Sequence, residues 1–430
     1  MINPRLIYTG LLWLLLPYVC FHLLWRGRKQ SEYLRHIGER FGFYTSRTDR
    51  PVIWLHTVSV GETRAAVALV QGLLKTYPNH QLLLTHTTPT GRATSEQLFG
   101  NDVLRVYLPY DYPCAVQRFL RHFQPQVGVL LETEIWFNLI HLCRTANVPL
   151  LLLNARLSEK SAARYARFPA LTRQGLHELA AIAAQTEADA RRLQMLGGEN
   201  ISLMGNLKFD IEPPAAMLEL GKRLRDSFGT TRKIFLAAST REGEETLLLD
   251  ALKQANIPGL LSVIIPRHPQ RFDAVAALIA QHGFRYQRRS EHTVIAADTE
   301  VILGDSMGEM FAYYAACDIA FIGGSLLPFG GQNLIEACAV GKPVLIGPHT
   351  YNFEQASQLA VEQGAAQRIA NAKTLVQILQ AVFNKPTLTK DMGLAGLRFV
   401  RANQGATNRA TELINCKLKL SDTTLGAYLE

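Results

Sequence analysis

The chain lacks most of the short signatures that announce a chemistry. It has no Cys-x-x-Cys pair. The six cysteines, Cys20, Cys114, Cys143, Cys317, Cys338 and Cys416, are scattered over 430 residues. Such spacing reads as free cytosolic thiols, not as a disulfide frame or a zinc site. No Gly-x-Gly-x-x-Gly follows the first strand-like run and no P-loop motif occurs, which argues against NAD and P-loop nucleotides. His-Glu-x-x-His and Asp-x-Asp are also missing. No metal ion and no cofactor are therefore expected, and metal-dependent sugar transfer is disfavoured. Low-complexity tracts and solenoid repeats are absent too. With 48% hydrophobic and 19% charged residues, the chain is not disordered and has ample apolar material for packed cores.

Acidic residues are the scarcer charge, 36 against 45 Lys and Arg, for a net +9 and a pI near 9.3. The excess is uneven. Residues 1–210 hold 23 basic and 15 acidic residues, whereas residues 211–430 hold 22 and 21. A basic surface on one half calls for an anionic partner, and no nucleic-acid motif accompanies it.

Leu6 to Trp25 contains no Lys, Arg, Asp or Glu, and Arg26, Arg28 and Lys29 follow at once. Twenty helical residues can cross a bilayer core of about 30 Å. The positive flank would then keep the rest of the chain on the cytoplasmic side. Pro17 would kink such a helix and His22 weakens it. A helix lying in the membrane interface, or a buried one, is the alternative. No small-x-small cleavage site ends the stretch, so it reads as a retained anchor, residues 1–30.

Beyond residue 50, short apolar runs alternate with helix-like segments. The runs are 52–56, 81–87, 103–109, 127–132, 148–154, 180–185 and 201–206, then 233–240, 260–267, 293–298, 300–305, 319–324 and 343–348. Near-continuous apolar strands alternating with helices predict parallel sheets covered on both faces. The interruption at 212–233, with two prolines and little strand character, reads as a linker. It gives a first domain over 31–211 and a second over 212–430. Ligands of open parallel sheets bind beyond the strands' carboxyl ends. His56, Thr87, Glu132, Asn154, Gln185, Asn206, Ser239, Arg267 and Gly324 occupy those ends.

Several residues there carry usable chemistry. Glu62, in Ser-Val-Gly-Glu, falls in the first turn of a helix. That is ordinary for a carboxylate near a helix N-terminus, and it also suits a general base. Glu132 and Glu134 follow a buried strand and share a direction if that strand continues. Lys208 is either a surface residue or a holder of carboxylate or phosphate. Ser239 and Glu242 have capping-box spacing. Arg267 and His268, stiffened by Pro266 and Pro269, form a strand-end turn suited to an anion, or one in which His268 merely packs. Gly323, Gly324, Gly330 and Gly331 flank a loop leading into a helix at Asn333, where backbone amides can meet a phosphate and Glu336 a ribose diol. Arg156, Lys160, Arg164 and Arg167, interleaved with Leu157, Tyr165 and Phe168, form either a solvated basic face or a seat on anionic lipid.

The ordered motifs RGRK, GERFGFY, HTVSVGE, TTPTG, YLPYD, LLETEIW, NARLS, GNLKFD, PRHPQRF, GDSMGE, GGSLLPFGGQNLIE and GPHTYNF span nearly the whole chain. Together they resemble the 3-deoxy-D-manno-octulosonic acid (Kdo) transferases of lipopolysaccharide synthesis. The resemblance implies two Rossmann-like doubly wound α/β domains facing a cleft in the GT-B arrangement, with an N-terminal anchor in the bacterial inner membrane. It implies CMP-Kdo as donor and the phosphorylated, acylated lipid A precursor as acceptor, with inversion and without metal. By motif, Glu62 would accept the proton, and Glu132 and Lys208 would stabilise the transition state. Arg267, His268, Met307, Gly308, Glu309, Asn333, Leu334, Ile335 and Glu336 would hold CMP. Arg156, Lys160, Arg164 and Arg167 would face acceptor and membrane. Two positions depart from the family pattern. Phe137 replaces Pro in Trp-Pro-Asn, which bears on the turn near Glu132. Gln332 replaces His, which removes an imidazole from the nucleotide loop. The competing reading is another membrane-associated GT-B glycosyltransferase with a different nucleotide sugar.

Overall fold

The structure, a computed structural model, describes residues 3–255 and 257–426. It divides into two compact units. One is Met1–Asp210 with Gln404–Glu430, and the other is Ile211–Asn403.

The first unit is built on seven parallel strands: β1 (Val52–His56), β2 (Gln81–His86), β3 (Leu104–Tyr107), β4 (Pro125–Leu131), β5 (Leu150–Ala155), β6 (Ala181–Ala184) and β7 (Ile201–Leu203). Their order in the sheet is β3-β2-β1-β4-β5-β6-β7. Both faces are covered, which explains the unbroken apolar runs. Successive side chains of a strand point to opposite faces. Accordingly Val52 and Trp54 join one core cluster, while Ile53 and Leu55 join the other. The chain winds outward from β1 to β3, then restarts beside β1 with β4. The switch point lies between β1 and β4, where a ligand crevice is expected.

The second unit repeats the plan with β8 (Lys233–Thr240), β9 (Leu260–Pro266), β10 (Tyr286–Arg288), β11 (Val301–Leu303), β12 (Ile319–Ile322), β13 (Val344–Ile346) and β14 (Ala366–Arg368). All are parallel, in the order β10-β11-β9-β8-β12-β13-β14. Its switch point lies between β8 and β12. One expected strand, 293–298, is a loop instead. The Gln287 side chain ties it down, accepting from Ala296 N at 2.8 Å and donating to the Val294 carbonyl at 3.1 Å.

The C-terminal segment also departs from expectation. Residues 212–430 do not form one body, because the helix Ala406–Gly426 returns to the first unit. Ala406, Ala410, Ile414 and Leu418, spaced four apart on one face, are buried in the cluster that holds Ile53 and Leu55. Asp210 secures the helix start by accepting from Gly405 N at 2.6 Å and from Thr407 N. A carboxylate at a helix N-terminus satisfies orphan amides and complements the dipole.

One described helix, Pro4–Lys29, is long and apolar enough to cross a membrane. It is docked on the first unit along most of its length. Arg5 and Thr9 hydrogen-bond the Asn138 side-chain oxygen at 3.2 and 2.9 Å, and the Tyr8 hydroxyl donates to Asp111 at 2.9 Å. The Tyr112 hydroxyl donates to the Leu12 carbonyl at 2.9 Å. Further along, Leu23 and Gly27 are buried. Ile7, Leu11, Leu14, Tyr18, Phe21 and Trp25 face outward, spaced three or four apart. The helix therefore presents one apolar stripe to its surroundings and a partly polar face to the protein.

Candidate active site

In the first unit, Ser59 caps the short helix Val60–Ala65 that follows β1. Its hydroxyl accepts from Glu62 N at 3.4 Å. The Glu62 carboxylate turns back over the loop, accepting from Val58 N at 2.8 Å and from the Ser59 hydroxyl at 3.1 Å. This is a capping-box arrangement with Glu at the third helical position. Burial nonetheless pushes the Glu62 carboxyl up to about 7, helped by the charges of Glu132 and Glu134 and opposed by its two hydrogen bonds. A carboxylate tuned to that range can take a proton near neutral pH.

Glu132 and Glu134 lie across the switch point, after β4. The strand does not continue through them. Glu132 sits in the left-handed region at φ 60°, held by its amide's bond to the Leu153 carbonyl at 3.1 Å. A non-glycine residue in this conformation is uncommon and strained. The turn splits the pair. Glu132 reaches the Lys208 ammonium at 3.4 Å, and Glu134 accepts from the Trp136 indole at 2.5 Å. Burial raises the Glu134 carboxyl above its usual range. Phe137 begins the next helix and packs edge-on to Tyr8 at 5.3 Å. The missing proline is thus replaced by an aromatic contact to the N-terminal helix.

Lys208 lies in the single turn Leu207–Phe209. Asn206 caps that turn by accepting from Lys208 N at 3.0 Å. Asn154, also left-handed at φ 53°, accepts from Leu207 N at 3.1 Å. Gln185 bridges Asn154 and Asn206, donating to the Asn154 carbonyl at 3.0 Å and accepting from the Asn206 amide at 3.1 Å. Four strand ends thereby fix one ammonium opposite Glu132.

Arg156, Lys160, Arg164 and Arg167 lie on or beside the helix Glu159–Tyr165. Lys160, Arg164 and Arg167 are exposed, while Leu157 is buried and Tyr165 packs on the core. Among the interleaved apolar residues, Phe168 projects outward, 65% exposed. The following helix, Pro169–His177, packs against Pro4–Lys29.

In the second unit, Arg267 follows β9, with its amide bonded to the Thr240 carbonyl at 3.0 Å. Its Nε donates to Gln332 Oε1 at 3.2 Å. The Gln332 departure therefore positions this guanidinium. His268 is exposed, and partial desolvation together with Arg241, Arg267 and Arg271 lowers its pKa. Met307 is exposed beside Gly308, whose φ of 82° suits glycine. Glu309 accepts from the Ser306 hydroxyl at 2.6 Å and pairs with Arg289 at 3.3 Å. Asn333 donates to Glu336 at 3.1 Å and accepts from Ile335 N at 3.1 Å. The helix begins at Ile335, two residues later than the sequence suggests, and runs only to Ala339. Leu334 and Ile335 are fully buried, so they can offer a ligand only their backbone.

Sequence reasoning missed what holds the glycine-rich loop. Glu244, fully buried, accepts from the amides of Gly324, Leu326 and Arg241 at 2.6, 2.9 and 2.9 Å. Burial raises its pKa, while these amides oppose the rise. These loop amides are thus bonded internally. The expected Ser239–Glu242 cap gives way to Glu244, and Ser239 is left-handed at φ 57°. Neighbouring Glu245 pairs with Arg271 at 2.7 Å and accepts from the Thr240 hydroxyl at 2.7 Å. The available signal was the Glu-Glu pair itself, where helix 244–255 turns inward.

A family model described as 3-deoxy-D-manno-octulosonic-acid transferase (kdotransferase) matches residues 35–211. A 3-deoxy-D-manno-octulosonic acid transferase of Bordetella pertussis is 41% identical over 389 residues, covering 87% of this chain and 90% of the relative. One from Haemophilus influenzae is 36% identical over 417 residues, covering 95% and 98%. Among solved structures, a glycosyltransferase from Rickettsia africae aligns with a TM-score of 0.59 at 15% identity, over 86% of this chain and 100% of that one. That likeness is one of fold, the two-unit GT-B architecture.

Proposed function

Because the chain belongs to the 3-deoxy-D-manno-octulosonic acid transferase family and is a glycosyltransferase, we propose that it moves Kdo from CMP-Kdo to the phosphorylated, acylated disaccharide precursor of lipid A. The observation that carries this reading is the carboxylate of Glu62, raised to about 7 at the switch point that also bears the Glu132–Lys208 pair.

Glu62 takes the proton of the attacking primary hydroxyl. The bond from that oxygen to the anomeric carbon forms as the bond to the CMP phosphate breaks, with inversion. The anomeric carbon bears a carboxylate, so positive charge develops beside a negative group. Lys208 binds that carboxylate, and Glu132 orients the ammonium and offsets the developing positive charge. On the second unit, Arg267 and His268 meet the phosphate, and Glu336 with the 333–335 backbone takes the ribose. Met307, Gly308 and Glu309 complete the nucleotide site. Fixed cations and dipoles stabilise the leaving phosphate, and the step as written uses no metal.

The membrane reading is specific to this helix. Pro4–Lys29 stays docked through Asp111 and Asn138 and lays its apolar stripe into the cytoplasmic leaflet of the inner membrane, instead of crossing it. The basic residues Lys160, Arg164 and Arg167 face the anionic headgroups and the acceptor.

The test is incubation of the full-length protein with CMP-Kdo and the lipid precursor, with mass spectrometry of the product. Glu62→Gln should lower turnover by about 10² or more while CMP still protects the protein against unfolding. Near-normal turnover of that variant, or UDP protecting in place of CMP, would overturn the proposal.

A further inference from the structure

Within the first unit, a cavity of about 330 Å³ lies between the helix Pro4–Lys29, the ends of β2 and β3, and the turn after β4. His22 and Arg26 reach it from the helix; Arg40, Thr88, Tyr110 and Trp136 reach it from the domain. No carboxylate is among its described lining residues.

Arg40 is the unusual member. It is only 3% exposed; its Nη1 donates to the Thr87 carbonyl at 3.1 Å and its guanidinium also interacts with the Tyr110 hydroxyl, but its Nε and Nη2 make no well-formed hydrogen bond among the described residues. Its guanidinium lies over the Tyr107 ring at 4.0 Å. The adjacent carboxylate is spent elsewhere: Glu39 binds Arg92 at 2.6 Å and the Tyr107 amide at 2.7 Å. A second guanidinium, Arg26, stands over the Tyr33 ring at 4.7 Å. Burying a cation without a counter-charge is costly. Two guanidiniums and aromatic walls, with no carboxylate among the described lining residues, are what a phosphate group satisfies.

We propose that this cavity holds a phosphomonoester carried by an acylated molecule, with Arg26 and Arg40 as its ligands. It rests on the proposed acceptor and deepens it by locating one phosphate of that acceptor. Two features favour a lipid-borne phosphate over a free one. The helix that walls the cavity turns Leu14, Phe21 and Trp25 outward, where acyl chains would lie. The cavity also adjoins the carboxylate rim. Trp136 donates to Glu134, and the Thr88 hydroxyl donates at 2.9 Å to the Val58 carbonyl, the residue whose amide holds Glu62. A phosphate bound here would tether the sugar whose hydroxyl reaches Glu62.

The experiment uses full-length protein in detergent and three probes: short-chain phosphatidic acid, phosphatidylcholine with the same chains, and inorganic phosphate. Phosphatidic acid should raise the Tm of the wild type, and the other two should not at equal concentration. Arg26→Gln, at an exposed position, should need at least about tenfold more phosphatidic acid for the same shift, and Arg40→Gln should lose it. In transfer assays Arg26→Gln should raise KM for the acceptor about tenfold and leave KM for CMP-Kdo unchanged. Equal protection by phosphatidylcholine, or wild-type behaviour of Arg26→Gln, would overturn the site, and equal protection by inorganic phosphate would overturn its lipid-borne ligand. If the wild type transfers nothing from CMP-Kdo while the thermal pattern holds, the function reading fails and the phosphate site stands.

Discussion

Glu62 shows how a motif acquires chemistry only through its surroundings. As sequence, Ser-Val-Gly-Glu is a routine helix start. Folded, the same carboxylate is desolvated and faces Glu132 and Glu134, which lifts it to about 7. A base works only when ionised, so kcat/KM should climb with pH below about 7 and level off above it. A flat profile between pH 5.5 and 8 would remove Glu62 from that role. For stability the sign is reversed. The folded value lies above the unfolded one, so this group's contribution is fully present below the unfolded value and is lost as pH rises through about 7. Glu132 and Lys208 were visible in the sequence as polar residues at strand ends. Their pairing was not, because it depends on the left-handed turn at Glu132 and on the Asn154–Gln185–Asn206 bridge. Gln332 looked like a lost imidazole and is instead the acceptor that orients Arg267.

At the level of elements, periodicity located nearly all the strands, since buried parallel strands write themselves as apolar runs. It failed at 293–298, where a single glutamine side chain outweighs apolar composition, and at β10 and β14, which are three-residue edge strands with little apolar content. The docking of Pro4–Lys29 was hidden for a different reason. Its partner, Asp111, lies about a hundred residues away and reads as an ordinary turn residue. Asp111 also accepts from the amides of Asn138 and Leu139 at 3.1 and 2.7 Å. Asp111→Ala would strand two amides and the Tyr8 hydroxyl, at a cost of about 2–4 kcal/mol. Chemical denaturation should show that loss, and limited proteolysis should show earlier cleavage within residues 4–29. Unchanged stability and cleavage would mean that the helix is held by its other contacts, those to Asn138 and Tyr112 included.

Across the whole molecule, the uneven charge acquires a location. The basic half is the unit that carries the apolar stripe, the exposed Lys160, Arg164 and Arg167, and the Arg26–Arg40 cavity. Attachment and acceptor recognition are therefore proposed for one surface of one unit, with the near-neutral unit left to the nucleotide. Replacing Leu14 and Phe21, 77% and 68% exposed, by Asp should move the protein from the membrane pellet to the supernatant. Its Tm in detergent should change little, because neither side chain is buried. Retention in the pellet would show that attachment does not depend on these two side chains.

The return of the C-terminal helix has a consequence for biosynthesis. The second unit is an insertion in the chain of the first, entered after Asp210 and left before Gln404. The β4 and β5 part of one face of the first sheet, Val129 included, gains cover from Ala410, Ile414 and Leu418 only after the entire second unit has left the ribosome. The nascent first unit must spend nearly two hundred residues of translation with that part of the face without this helix. Premature termination after the second unit would thus leave that unit complete and the first without the helix that finishes its core.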